Sequence, residues 1–125
     1  MSTQQFFIEG RLPGYNEFIN AAKGLRGARK YTQLKQVVEK QIAYHIRQAK
    51  IKPCMKPVHV RVAWSEPDKK RDRDNVVATI KCVMDALRDT SIIRNDTWKW
   101  VLSIEQMVIL DHEKPGVLVT LEEEG

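Results

Sequence analysis

The run Lys69-Lys70-Arg71-Asp72-Arg73-Asp74-Asn75 sets two carboxylates and an amide among four cationic side chains. In an extended segment successive side chains alternate, so Asp72 and Asp74 point one way and Arg71 and Arg73 the other. Two carboxylates held close repel each other unless a cation or a proton lies between them. Magnesium answers that need, because it takes oxygen ligands, typically one or two protein carboxylates completed by water and phosphate. The chemistry implied is metal-assisted attack on a phosphate. A plainer reading stands beside it: either aspartate can simply cap the helix that follows, and the Arg-Asp alternation can be a solvated loop.

That helix is expected from near Asp74 to near Arg88, with the apolar stripe Val76, Val77, Ile80, Val83, Met84 and Leu87. Asp74, Lys81, Asp85 and Arg88 then share one flank. Lys81 lies two turns beyond Asp74, roughly 10 Å along the axis, and helical side chains lean toward the N-terminus. Its ammonium can therefore reach a phosphate held at the aspartates, or pair with Asp85 four residues on for a few tenths of a kcal/mol. Asp96, in Arg94-Asn95-Asp96, reads as a turn residue. It gains interest if the strand after it pairs beside Val58–Ser65, which would bring Asp96 near the Asp72/Asp74 end.

The elements that must position these groups follow from periodicity. Phe6–Leu12 reads as a first strand. Pro13, Gly14, Gly24 and Gly27 punctuate the next stretch, and a mobile basic loop carrying Lys23, Arg26, Arg29 and Lys30 is expected at about residues 20–31. A helix is expected from Thr32 to about Lys50, on the stripe Leu34, Val37, Val38, Ile42, Ile46 and Ala49, with Thr32 as its cap and Pro53 after its end. Val58–Ser65 alternates cleanly as a half-buried strand. Trp98–Leu110 and Gly116–Glu122 read as two more strands joined by a hairpin turn at DHEKP, ahead of an acidic tail at 122–125. Large aromatics on strands usually belong to a core, although Trp98 and Trp100 can equally build an interface. The order β-α-β-α-β-β predicts one α+β domain over residues 1–125, with helices packed on a mixed sheet.

The 125-residue length suits a single domain, and 42% hydrophobic with 30% charged residues excludes wholesale disorder. A net charge of +5 favours a polyanionic partner. Cys54 and Cys82 form neither a disulfide framework nor a metal-ligand spacing, and His45, His59 and His112 are scattered, which argues against a zinc site. No apolar run reaches the ~20 residues that span a bilayer. The polar start MSTQQ does not read as a signal peptide, so a cytoplasmic protein with no membrane partner is expected. Neither a Ser/His/Asp nor a Cys/His arrangement is visible, and no Gly-rich phosphate loop. Pro67-Asp68 could open the restriction-enzyme type of nuclease core, but no acidic-x-Lys pair follows on a strand.

The series Asp72-x-Asp74-Asn75, Lys81-x-x-x-Asp85-Ala86-Leu87 and Asn95-Asp96, with the early turn Leu12-Pro13-Gly14-Tyr15-Asn16-Glu17, resembles the RusA family of Holliday junction resolvases. These are small, often prophage-borne nucleases, and the likeness spans most of the chain. One departure is that six positions separate Asn75 from Lys81, about one helical turn more than the family pattern. The resemblance implies a magnesium-dependent endonuclease (manganese being a substitute) that nicks four-way junction DNA symmetrically as a homodimer. By position it implies Asp72, Asp74 and Asp96 as metal ligands and Lys81 as the essential lysine. Two opposed nicks need two sites, which a two-fold dimer supplies. For DNA contact the basic residues Lys69, Lys70, Arg71, Arg73, Lys23, Arg26, Arg29 and Lys30 are expected to bind phosphates without reading sequence. Tyr15 and Asn16 are placed to touch DNA, or Asn16 serves only the turn. Two alternatives remain: a branched-DNA-binding module without catalysis, and a nuclease that prefers flaps or forks.

Overall fold

The computed structural model describes residues 2–125. Its elements are β1 (Thr3–Glu9), α1 (Tyr15–Ala22), α2 (Gly27–Gln48), β2 (Val58–Glu66), α3 (Arg73–Val77), α4 (Ile80–Asp89), β3 (Val101–Leu110) and β4 (Gly116–Glu123). The four strands form one mixed sheet in the order β1-β4-β2-β3. An α+β domain with helices against a mixed sheet is thus observed, although a pair of helices stands where each single helix was expected.

β2 explains the core. Its alternation sends Val58, Val60, Val62 and Trp64 to one face, where each is at most 2% exposed. On that face Val60, Val62 and Trp64 lie opposite Leu121, Val119 and Val117 of β4, which runs antiparallel. Phe6 and Ile8 of β1 continue the layer beside the same β4 residues. Val38, Ile42 and Ile46 of α2 and Val83 and Leu87 of α4 join that core. Burying each such side chain contributes roughly 1.5–3 kcal/mol. Val37, included in the expected stripe, is 62% exposed.

Several expectations are corrected. Residues 20–31 are not one continuous loop: α1 ends at Ala22 and α2 begins at Gly27, well before Thr32. The glycines break the chain only once, between two helices. Gly24 supplies a positive φ of 78°, and a Cβ on Gly27 would collide with the Ala22 carbonyl oxygen. Arg29 and Lys30 are consequently helical. The helix expected from Asp74 to Arg88 is broken at Ala78–Thr79, where the Thr79 hydroxyl donates to the Pro13 carbonyl.

DHEKP does not close a hairpin. β3 and β4 flank β2 on opposite sides, β3 parallel and β4 antiparallel to it, so the connection crosses the end of β2. Trp98 and Trp100 precede β3, which starts at Val101. The acidic tail is also largely structured. Glu122 and Glu123 belong to β4, Glu122 pairs with Arg61 at 3.2 Å, and Glu124 pairs with His59 at 2.7 Å. Among the described residues no helix is long and apolar enough to cross a membrane.

Candidate functional site

The strand phase that buries Trp64 also buries Glu66, whose side chain is 6% exposed at the end of β2. A carboxylate there requires cations. Arg71 grips it bidentately, Nε to Oε1 and Nη2 to Oε2, both at 2.9 Å. Arg11 Nη2 adds a contact to Oε1 at 2.9 Å. Burial pushes the Glu66 carboxyl up, but the two guanidiniums outweigh it and hold the group below the usual carboxylate range. Arg71 Nη1 also donates to the Leu12 carbonyl at 2.9 Å and to Glu17 Oε1 at 3.1 Å. Arg71 is therefore an internal strut with 14% side-chain exposure, not the free phosphate contact expected of it.

That strut joins the two sequence motifs. Asn75 Oδ1 accepts from the Asn16 amide at 2.8 Å. Gly14 fits because a Cβ there would lie 2.8 Å from Asn75 Oδ1 and 2.9 Å from the Asn75 carbonyl oxygen. Its own amide donates to Glu17 Oε1 at 3.2 Å. The turn Leu12–Glu17 is thus bound to residues 71–79 by Arg71, Asn75 and Thr79. Asn16 enters this network through its backbone, in keeping with a structural turn.

Next to the strut, Asp72 is extended (φ −65°, ψ 151°) at the N-cap of α3, yet its side chain makes no capping bond. Asp74 sits in the first turn and accepts the Asn75 amide at 3.0 Å. Neither carboxylate has an ion-pair partner among the described residues. Both border a concavity of about 260 Å³ with Tyr15, Asn16, Asn75 and Ala78. Asp72 also borders a second recess of about 230 Å³, shared with Lys69, Arg73 and the β3 residues Val108–Leu110. Lys69, Lys70 and Arg73 are exposed beside the pair, and Lys23, Arg26, Arg29 and Lys30 are exposed around the α1–α2 corner. Two hard oxygen donors at an open concavity, without a protein cation between them, suit a divalent metal that keeps several waters.

Asp96 does not join the acidic pair, and Lys81 is held toward Asp85 and Asp96. Because β3 runs parallel to β2, residues before β3 lie toward the start of β2, whereas Asp72 follows its far end. Asp96 meets α4 instead: its Oδ2 is 3.6 Å from Lys81 Nζ and 3.4 Å from Arg88 Nη1. Among the described residues no three His, Cys, Asp or Glu side chains converge where they could hold a metal ion. The expected trio of Asp72, Asp74 and Asp96 is therefore not assembled within one chain.

The group that organises Lys81 is Asp85, a residue whose structural weight the sequence pattern understated. Its side chain is 3% exposed. Lys35 reaches Oδ2 at 3.0 Å, while Lys81 and Arg88 reach Oδ1 at 3.1 and 3.4 Å. Burial raises the Asp85 carboxyl, but the Lys35 and Lys81 ammoniums together hold it below its ordinary value. The spacing to Lys81 and Arg88 was visible along the helix; Lys35, from α2, was not. Glu66 did carry a signal, since it continues the buried phase Val58, Val60, Val62, Trp64. Cys54 and Cys82 are free and buried, and burial lifts both thiols to about 11, which removes them as nucleophiles.

No protein family matches this chain, and no curated protein does either, so the residues themselves carry the functional reading.

Proposed function

We propose that this chain is a magnesium-dependent endonuclease of the RusA kind, which resolves four-way junction DNA as a homodimer. The observation that carries the reading is the pair Asp72 and Asp74, neither in an ion pair among the described residues, on one concavity, next to a second recess that Asp72 shares with Lys69 and Arg73. Both carboxylates are exposed to solvent, so a hydrated divalent ion can reach the two of them together. Asp72 and Asp74 would hold magnesium, with manganese as a substitute, leaving its other positions to water and a phosphate oxygen. The ion, when bound, supplies Lewis-acid polarisation of the phosphate and a more acidic water.

The chain's own residues do the rest. Asp72, at the border of two adjoining recesses, lets a strand pass from the Lys69 and Arg73 side onto the acidic pair. Lys69, Lys70 and Arg73 anchor phosphates on that side, and Lys23, Arg26, Arg29 and Lys30 extend the basic surface. Lys81, 64% exposed despite its pairing, is available to a phosphate beyond Ala78. In this reading Asp96 orients Lys81 within its own chain.

The dimer reading rests on β3. It is an edge strand, and Leu102, Ile104, Met107, Ile109 and Leu110 are 43–58% exposed along it, with Trp98 94% exposed just before. Unpaired edges carrying apolar side chains invite a second strand. A two-fold axis there would supply the second acidic pair.

The test is cleavage of end-labelled four-way, forked, flapped and linear DNA with magnesium, manganese or EDTA. Symmetric nicks in opposed strands of the four-way junction are expected. They should be lost with EDTA and with Asp74→Asn, while junction binding persists. Binding without cleavage under either metal would favour the non-catalytic module, consistent with the dispersal of the expected trio. Preferential cutting of forks or flaps would reassign the substrate.

A further inference from the structure

Beside the acidic concavity lies a recess of about 100 Å³ between α1, α2 and α4. Its floor is Phe18, 8% exposed, and its walls are Tyr15 and Tyr31, 54% and 40% exposed. The Phe18 and Tyr31 rings are 5.5 Å apart and tilted by 59°, so Tyr31 is braced from behind while its outer side stays open. Lys35 and Lys81 also line the recess. Both are anchored through Asp85, which holds the ammoniums in place without enclosing Lys81. The recess shares Tyr15 and Ala78 with the concavity of Asp72 and Asp74. Aromatic rings and two lysines lining one recess suit a flat heterocycle attached to a phosphate.

We propose that this recess takes an unstacked nucleobase of the DNA branch point, with Tyr15 and Tyr31 as its stacking partners and Lys81 on the adjoining phosphate. This inference rests on the nuclease reading and adds to it a source of selectivity for branched DNA. Taking a base out of a continuous duplex costs its stacking on both neighbours, whereas at a branch the helix is interrupted and a base is cheaper to unstack. Aromatic stacking accepts any base, so the recess selects for structure rather than sequence.

The test uses the full chain in calcium, with four-way junctions in which each nucleotide next to the branch is replaced in turn by an abasic residue. One abasic position should weaken wild-type binding roughly tenfold, the size expected for one stacking interaction. Tyr31→Ala and Tyr15→Ala should weaken binding of the intact junction comparably and add no further loss on the abasic junction, and Tyr31→Ala should leave duplex binding unchanged. Tyr31→Phe should bind as wild type. Should Tyr31→Ala fail to fold, the exposed Tyr15 variant and the abasic series decide alone. Junction binding that ignores every abasic position, or losses that simply add, overturns the recess and leaves the nuclease reading standing. A wild-type protein that binds junctions no better than duplex overturns both.

Discussion

Replacing Arg71 by alanine separates a structural arginine from a DNA-binding one. The side chain makes two 2.9 Å bonds to Glu66 and two more to the Leu12–Glu17 turn. Removing one partner of a buried ion pair costs about 3–5 kcal/mol, because the remaining charge stays buried. Here Arg11 still reaches Glu66 Oε1 at 2.9 Å, and Arg71 is not wholly enclosed, so the expected loss falls to about 2–3 kcal/mol. For a chain of this length that lowers Tm by roughly 6–15 °C. Arg71→Lys, which cannot grip both carboxylate oxygens, should lie between wild type and Arg71→Ala. Urea titrations supply the free energies, and a cycle with Glu66→Gln isolates the pair.

The sign of the pH effect also follows. Glu66 has a depressed folded pKa, so its stabilisation is full above its unfolded value of about 4.3 and fades as pH falls through the lower folded value. The gap between wild type and Arg71→Ala should therefore narrow in acid. An Arg71→Ala protein that melts with wild type at neutral pH but binds DNA weakly would refute the strut and restore the phosphate contact.

Asp85→Asn should cost about 1–2 kcal/mol in urea unfolding, less than a fully enclosed charge, because Lys35, Lys81 and Arg88 can rehydrate; the Asp85 contribution should also vanish from the acid limb below pH ~4. Lys69→Ala with Lys70→Ala should leave unfolding within about 0.5 kcal/mol of wild type and reduce the slope of DNA affinity against log salt by about 1 for each phosphate no longer neutralised. If the proposed dimer forms through β3, Ile104→Glu should move it to monomer size in sedimentation; an unchanged dimer would place the interface elsewhere, and a monomeric wild type would refute the dimer. Gly14→Ala should lower Tm through the clash with Asn75, a loss that Asn75→Ala relieves only in part because the Asn75 carbonyl oxygen remains.

Alternation in Val58–Ser65, the apolar stripe over Ile80–Leu87 and the long helix ending near Gln48 were legible in the chain because each follows a local period of two or 3.6 residues. So was the acidic pair, since Asp72 and Asp74 are separated by a single residue and no folding can part them far. The meeting of the Leu12–Glu17 turn with Asn75 and Thr79, the Glu66–Arg71 strut, and Lys35 on Asp85 join residues brought together by the fold, and no local period records them. The place of β3 was likewise open: the pattern of Val101–Leu110 suits a strand paired with β4 as well as one paired with β2. The parallel choice set Asp96 beside Lys81 and Arg88 instead of Asp72 and Asp74. Local residue order determined which groups could do chemistry; strand pairing, governed by which apolar faces bury together, decided which of them meet.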